Sequence, residues 1–133
     1  MRILALTALF ALLTSGCRGT SADTFEVAAD GTVAISRDAT VKQGAAARFA
    51  FVLERTESMD ASATHYYPAY VDSDDPSIVT ATRTAAKVRC PLKDCDAPLS
   101  VWELRGLAVG TTSLHVTSDD HDEDYTVVVH VLP

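Results

Sequence analysis

Beyond residue 24 the apolar residues fall into short runs broken by Gly, Asp, Ser and Pro, and helical periodicity is almost absent. That pattern restricts the chain to strands, because a helix needs a longer stretch with a 3.6-residue repeat. Phe25–Val27 and Thr32–Ser36 flank the turn dipeptide Asp30-Gly31. Thr40–Lys42 leads to Gly44, and Ala47–Glu54 follows. In that run Phe49, Phe51 and Leu53 alternate with Arg48, Ala50 and Glu54, predicting one apolar face and one mostly wet face. His65–Asp72 is rich in aromatics and stops at Ser73–Pro76; Pro68 has no N–H to donate, which confines this strand to an edge or a bulge. Ile78–Thr82, Val101–Arg105 and Thr112–Thr117 read as further strands. Tyr125–Leu132 is β-branched and nearly continuous, as in a strand covered on both sides. The expected fold is all-β, an antiparallel β-sandwich of about seven strands.

The beginning of the chain has a different chemistry. Met1-Arg2 is a small positive start, Ile3–Leu13 is apolar and uncharged, and small residues lead to Cys17. This is the layout of a secretory signal. About eleven helical residues at 1.5 Å each reach only about 17 Å, too short for roughly 30 Å of hydrocarbon. Leu13-Thr14-Ser15-Gly16-Cys17 resembles the lipobox of bacterial lipoproteins, in which the cysteine becomes the first mature residue and is acylated. Thr14 departs from that pattern, where an aliphatic residue is usual. The resemblance implies a signal peptide over 1–16, lipidation at Cys17 (palmitate among the acyl chains), a lipidated tether over 17–24 and a folded domain over 25–133. Each buried methylene contributes about 0.8 kcal/mol, so several chains would hold the protein to a membrane. Arg18, which is not Asp, implies outer-membrane sorting within that family. The alternative is an ordinary signal cut nearby, with Cys17 a free thiol.

Removing residues 1–16 leaves about 117 residues, enough for one domain. It also removes Arg2, one of 11 basic residues, against 18 acidic ones. A surface this acidic repels nucleic acid and anionic headgroups, so neither is an expected partner. Two cysteines remain, Cys90 and Cys95, separated by Pro-Leu-Lys-Asp. In an exported chain they are expected to form a disulfide that pins a small loop, contributing roughly 2 kcal/mol. A redox pair fits less well, since Pro91, Asp94 and Asp96 point to a loop and not a helix start. There is no second cysteine pair to complete a zinc site.

Three segments together resemble the group 2 bacterial Ig-like domains of invasin- and intimin-type surface proteins. They are Val41–Gly44 before Phe49, Ser73–Ala81, and Gly106–Val116 with its two glycines before an alternating strand. The chain departs from the family at the insertion Arg83–Pro98 and at Val71, where Trp is frequent. The resemblance implies an Ig-like sandwich and a non-enzymatic binding, adhesion or structural module, with a protein or envelope polymer as partner and no cofactor. It carries no fixed set of functional residues. Another Ig-like type, the chagasin-like inhibitors of cysteine proteases, has loop motifs that are missing here.

If strands alternate up and down, the loops at 54–64, 83–99 and 118–124 gather at one end and are strongly acidic. Asp119, Asp120, Asp122, Glu123 and Asp124 are oxygen donors of the kind calcium takes, although the spacing is not that of an EF-hand. A solvated hairpin tip explains the same run. His121 would extend it to a transition metal, but His65, His115 and His130 lie on separate strands. Tyr66 and Tyr70 share a strand face by alternation and, with His121, are candidates for partner binding; Trp102 is expected in the core. No nucleophile elbow, zinc-protease helix or phosphate loop is present, so the chain is expected not to be an enzyme.

Overall fold

The strand expected at Ala47–Glu54 forms as β4 (Ala46–Thr56) and occupies the middle of the molecule. The computed structural model describes residues 19–56, 64–96, 98–118 and 123–133. Among these there is no helix, and eight further strands surround β4: β1 (Gly19–Val27), β2 (Val33–Ser36), β3 (Ala39–Lys42), β5 (Thr64–Ser73), β6 (Val79–Arg89), β7 (Pro98–Gly106), β8 (Gly110–Ser118) and β9 (Asp124–Leu132). The count is nine where about seven were expected.

Along one edge β4 pairs with β1, which in turn pairs with β2. Its other edge is divided. Ala46–Ala50 pairs with β7, which carries β6, while Val52–Thr56 pairs with the first half of β5. The second half of β5, from Ala69, pairs with β8 in the other sheet, followed by β9 and β3. β5 therefore changes sheets next to Pro68, whose Cα opposes Val52 in the last register position of the first sheet. Each half of β5 has a ladder on one side, so the missing proline N–H costs no bond there, and a strand that bends between sheets makes the corner of a sandwich. All pairings are antiparallel except β3 with β9, which is parallel.

The core between the sheets contains Phe49, Phe51, Leu53, Trp102, Leu104, Leu114, Val116 and Val129, each at most 7% exposed. Arg83–Arg89, expected in a loop over 83–99, instead continue β6, because β7 offers them a partner edge back to Pro98. Tertiary packing changes the sequence reading in three further places. The face of β4 expected to be wet is not: Ala50 and Val52 are fully buried in a second cluster with Phe25, Val27, Leu99, Val101, Cys90 and Cys95. The connection from β6 to β7 closes over this outer face, and the Cys90–Cys95 disulfide, with Cα atoms 5.7 Å apart, lies inside the cluster. Secondly, β9 is not covered on both sides. Val127, Val129 and Val131 face the core, while Tyr125 and Val128 are exposed. Its β-branched run follows strand propensity and not double burial.

Thirdly, Gly19–Thr24, expected as tether, form the first part of β1, with Gly19 opposite Thr56 and Thr24 opposite Phe51. These small polar residues have weak strand propensity. Pairing along β4 overrides it, since β4 offers an otherwise open edge.

The turns follow the sequence closely. Asp30 Oδ1 accepts a hydrogen bond from the Thr32 N–H at 2.9 Å, and Gly31 takes φ 87° between β1 and β2. Gly106 is required for a different reason: a Cβ there would lie 2.7 Å from the Lys42 carbonyl oxygen, so only glycine lets β7 approach the end of β3. The register places Gly19, Thr56, Thr64, Arg89, Pro98, Ser118 and Asp124 at one end of the sandwich. The corners Ser73–Pro76 and Gly106–Gly110 lie at the other, as expected from alternation.

Candidate functional site

The end that gathers the acidic loops is held by one buried carboxylate. Glu123, 8% exposed, stands just before β9. Its Oε1 accepts from Arg55 Nη1 of β4 at 2.7 Å, and its Oε2 accepts from the Thr20 hydroxyl of β1 at 2.6 Å. The Glu123 N–H donates to Ser118 Oγ at 3.2 Å, and the Ser118 N–H donates to the Glu123 carbonyl at 3.0 Å. These bonds join β1, β4, β8 and β9. Charge-assisted bonds of this length are stronger than neutral ones, and partial burial reduces screening.

Glu123 is thus engaged by a cation, an arrangement opposed to the open oxygen cage a calcium ion needs. Asp124, the other described member of the acidic run, faces His115 Nε2 at 3.2 Å on the exposed side of the β8–β9 ladder. Asp119, Asp120, His121 and Asp122 lie outside the described residues, as does Cys17. Among the described residues, no three His, Cys, Asp or Glu side chains are grouped to hold a metal ion. His130 pairs with Asp38 at 3.5 Å and contacts the Thr111 hydroxyl at 3.2 Å, on the β3–β9 side.

A second acidic group lies on the outer face of the first sheet, beside the disulfide-capped cluster. Cross-strand register puts Asp23 opposite Val52, and Glu54 opposite both Ser21 and Tyr66. Asp23 Oδ2 is buried and meets no donor. Burial, followed by a hydrogen bond and repulsion from Asp23, raises the Glu54 carboxyl above its ordinary range. Two carboxyls share a hydrogen bond only when one is protonated, which is why proximity favours the acid form. Burial, then the charges of Glu54, Asp23 and Asp94, raises the Tyr66 phenol as well. Asp94 belongs to the disulfide loop, where it takes φ 63°.

The two tyrosines do not form one platform. Tyr66 packs against the outer cluster, whereas Tyr70, past the sheet change at Pro68, is exposed under the guanidinium of Arg83, with Cζ 5.3 Å from the ring centroid. Trp102 is in the core, as expected. Sequence reasoning missed Arg83 because alternation does not reveal which edge strands face each other. Its cross-strand neighbour is Trp102, so it stands on the inner face of β6 at the open side of the sandwich.

No family model and no curated protein matches this sequence. Among solved structures, the chain is similar to domains 4 and 5 of the S-layer protein SbsC, with 17% identity and a TM-score of 0.50 over 86% of this chain and 54% of that one. It is also similar to a structure of SbsC domains 5–6, with 18% identity and a TM-score of 0.49 over 73% of this chain and 40% of that one. The chain thus spans about half the length of the first and less of the second. At such identities the likeness is one of fold.

Proposed function

We propose that this protein is a non-enzymatic binding or structural module of the bacterial cell envelope, attached to a membrane through acyl chains on Cys17. The observation that carries the reading is the position of β1. Gly19 is already paired with Thr56, and Thr20 is bonded to Glu123, so the lipobox cysteine stands two residues ahead of a rigid sandwich. A signal of this kind, followed at once by an ordered strand, suits a domain displayed at a surface. An Ig-like sandwich presents broad faces and end loops and builds no enclosed catalytic cleft of itself. The occurrence of a similar fold within an S-layer protein agrees with an envelope role, and the family resemblance in Val41–Gly44, Ser73–Ala81 and Gly106–Val116 points the same way. Outer-membrane placement follows from Arg18 under the same reading.

Metabolic labelling with an alkyne fatty acid tests the anchor. Wild-type protein is expected to carry label and to partition with membranes, and Cys17→Ala to lose both. Label retained by Cys17→Ala, or wild-type protein recovered unlabelled, overturns the proposal.

A further inference from the structure

A groove of about 240 Å³ opens on the side of the sandwich where β5 leaves the first sheet, lined by Pro68, Tyr70, Arg83, Lys87, Pro98 and Ser100. Its chemistry is opposite to that of the rest of the protein. In a chain with net charge −7, Arg83 lies over the exposed Tyr70 ring and a second cation, Lys87, lines the same groove. Among the described residues neither Arg83 nor Lys87 has a carboxylate partner, and the Arg83 guanidinium lies over the face of Tyr70. Cations left without acidic partners in a protein rich in carboxylates, converging on one concavity, form a ready anion subsite.

Three features narrow the ligand. The volume is just below the range of about 300–1,000 Å³ typical of drug-sized ligands, so it suits a single ring-sized unit. The negative field of the whole molecule repels long polyanions, leaving an isolated carboxylate as the charge that gains from two nearby cations. The groove's walls also oppose strand addition by a peptide. Pro68 and Pro98 have no N–H, and β6 bulges between Arg83 and Lys87. Within that bulge the Ala86 N–H donates to Thr84 Oγ1 at 3.2 Å, and the Thr84 hydroxyl donates to the Val101 carbonyl at 2.8 Å. Prolines and bulges blunt a strand edge, so recognition must come from side chains. Those present are a guanidinium, an ammonium, a phenol and a serine hydroxyl, with proline rings as apolar walls.

We infer that this groove binds a carboxylated sugar unit of the uronic-acid type, its carboxylate between Arg83 and Lys87 and its ring against Tyr70 and the prolines. The inference rests on the reading of the protein as a binding module, and names the ligand class for it. The test is an amide chemical-shift titration of the full chain with glucuronate, glucose, acetate and a short glutamate-rich peptide. Glucuronate is expected to give saturable shifts at Ala69, Tyr70, Arg83, Lys87 and Ser100, with at least tenfold higher affinity than the other three. Lys87→Gln, at an exposed side chain, and the double variant with Arg83→Gln are expected to lower that affinity stepwise, while the shifts of Leu104 and Val116 confirm an intact core. Absence of shifts, equal affinity for acetate, tighter binding of the peptide, or unchanged binding by the double variant each overturn the inference. Acyl labelling is independent of this titration, so failure of the anchor and failure of the groove are separately visible.

Discussion

Replacing both members of the disulfide, Cys90→Ala with Cys95→Ala, distinguishes a pinned loop from a lid over a second core. Closing a loop of this length restricts the unfolded chain by about 2 kcal/mol on the chain-entropy model. If that were its whole contribution, the double variant would lose about 2 kcal/mol, and the rest of the structure would not register the change. The structure implies more. The loop's cysteines share a buried cluster with Phe25, Val52, Leu99 and Val101, all of them 1% exposed or less. Full burial of one large apolar side chain contributes roughly 1.5–3 kcal/mol, so partial uncovering of two or three adds about 1–3 kcal/mol. The expected loss is therefore about 3–5 kcal/mol, or roughly 12–20 °C in melting temperature for a domain of this size. Urea unfolding followed by the fluorescence of Trp102, which lies in the other core, reads the global value. Hydrogen exchange then shows where protection is lost, with β1 and the middle of β4 expected to open along with the loop. A loss of about 2 kcal/mol or less, with exchange changed only around residues 90–96, would refute the lid and leave a local pin.

Two further outcomes follow from the acidic end. Glu123→Ala removes the buried carboxylate that bonds the half-buried Arg55 and the Thr20 hydroxyl; the expected cost is about 2–3 kcal/mol by urea unfolding, with Glu123→Gln costing less because an amide oxygen still accepts from Thr20. A cost near that of an exposed pair, roughly 0.2–1 kcal/mol, would contradict the linking role given to this carboxylate. Glu54 carries the opposite sign. Its carboxyl binds a proton more tightly folded than unfolded, so the folded state loses stability as pH rises from about 4.5 through the raised folded value. Glu54→Gln is expected to flatten that decline and to stabilise the protein at neutral pH, as read from melting temperatures between pH 4 and 8. An unchanged pH profile would refute the assignment of this decline to Glu54.

The fold class was legible because strand alternation and turn chemistry are local. Asp30-Gly31, the Ser73–Pro76 corner and the Gly106–Gly110 corner all lie where their residues require. Grouping the acidic loops at one end needed only the parity of the strands. Properties that depend on neighbours across the sheets were not legible. The face of Ala50, which also carries Val52, read as mostly wet because sequence does not reveal that a disulfide loop returns over it. Gly19–Thr24 read as tether because their propensity is poor and the open edge of β4 is a tertiary fact. Tyr66 and Tyr70 read as one face because alternation assumes a strand that stays in one sheet, and β5 does not. Arg83 gave no signal at all, since its significance comes from a strand distant in sequence.

The early start of β1 also fixes how an anchored molecule would stand. Only Arg18 separates Cys17 from Gly19, two peptide steps that span at most about 7 Å when extended, which is within a Debye length of roughly 8 Å at physiological salt. An acylated Cys17 therefore brings the end bearing Glu54, Asp94, Asp96 and Asp124 within electrostatic reach of the headgroups. That end would be repelled by anionic lipid and tolerated by a zwitterionic or cation-bridged surface. The groove at Tyr70 and Arg83 opens on the side of the sandwich, set by the sheet change in β5, so a molecule standing on its acidic end keeps it open to solvent. Vesicle binding by the acylated chain should accordingly weaken as anionic lipid is added at low salt and recover at high salt. Stronger binding to anionic vesicles would mean that a basic surface, and not this end, meets the membrane.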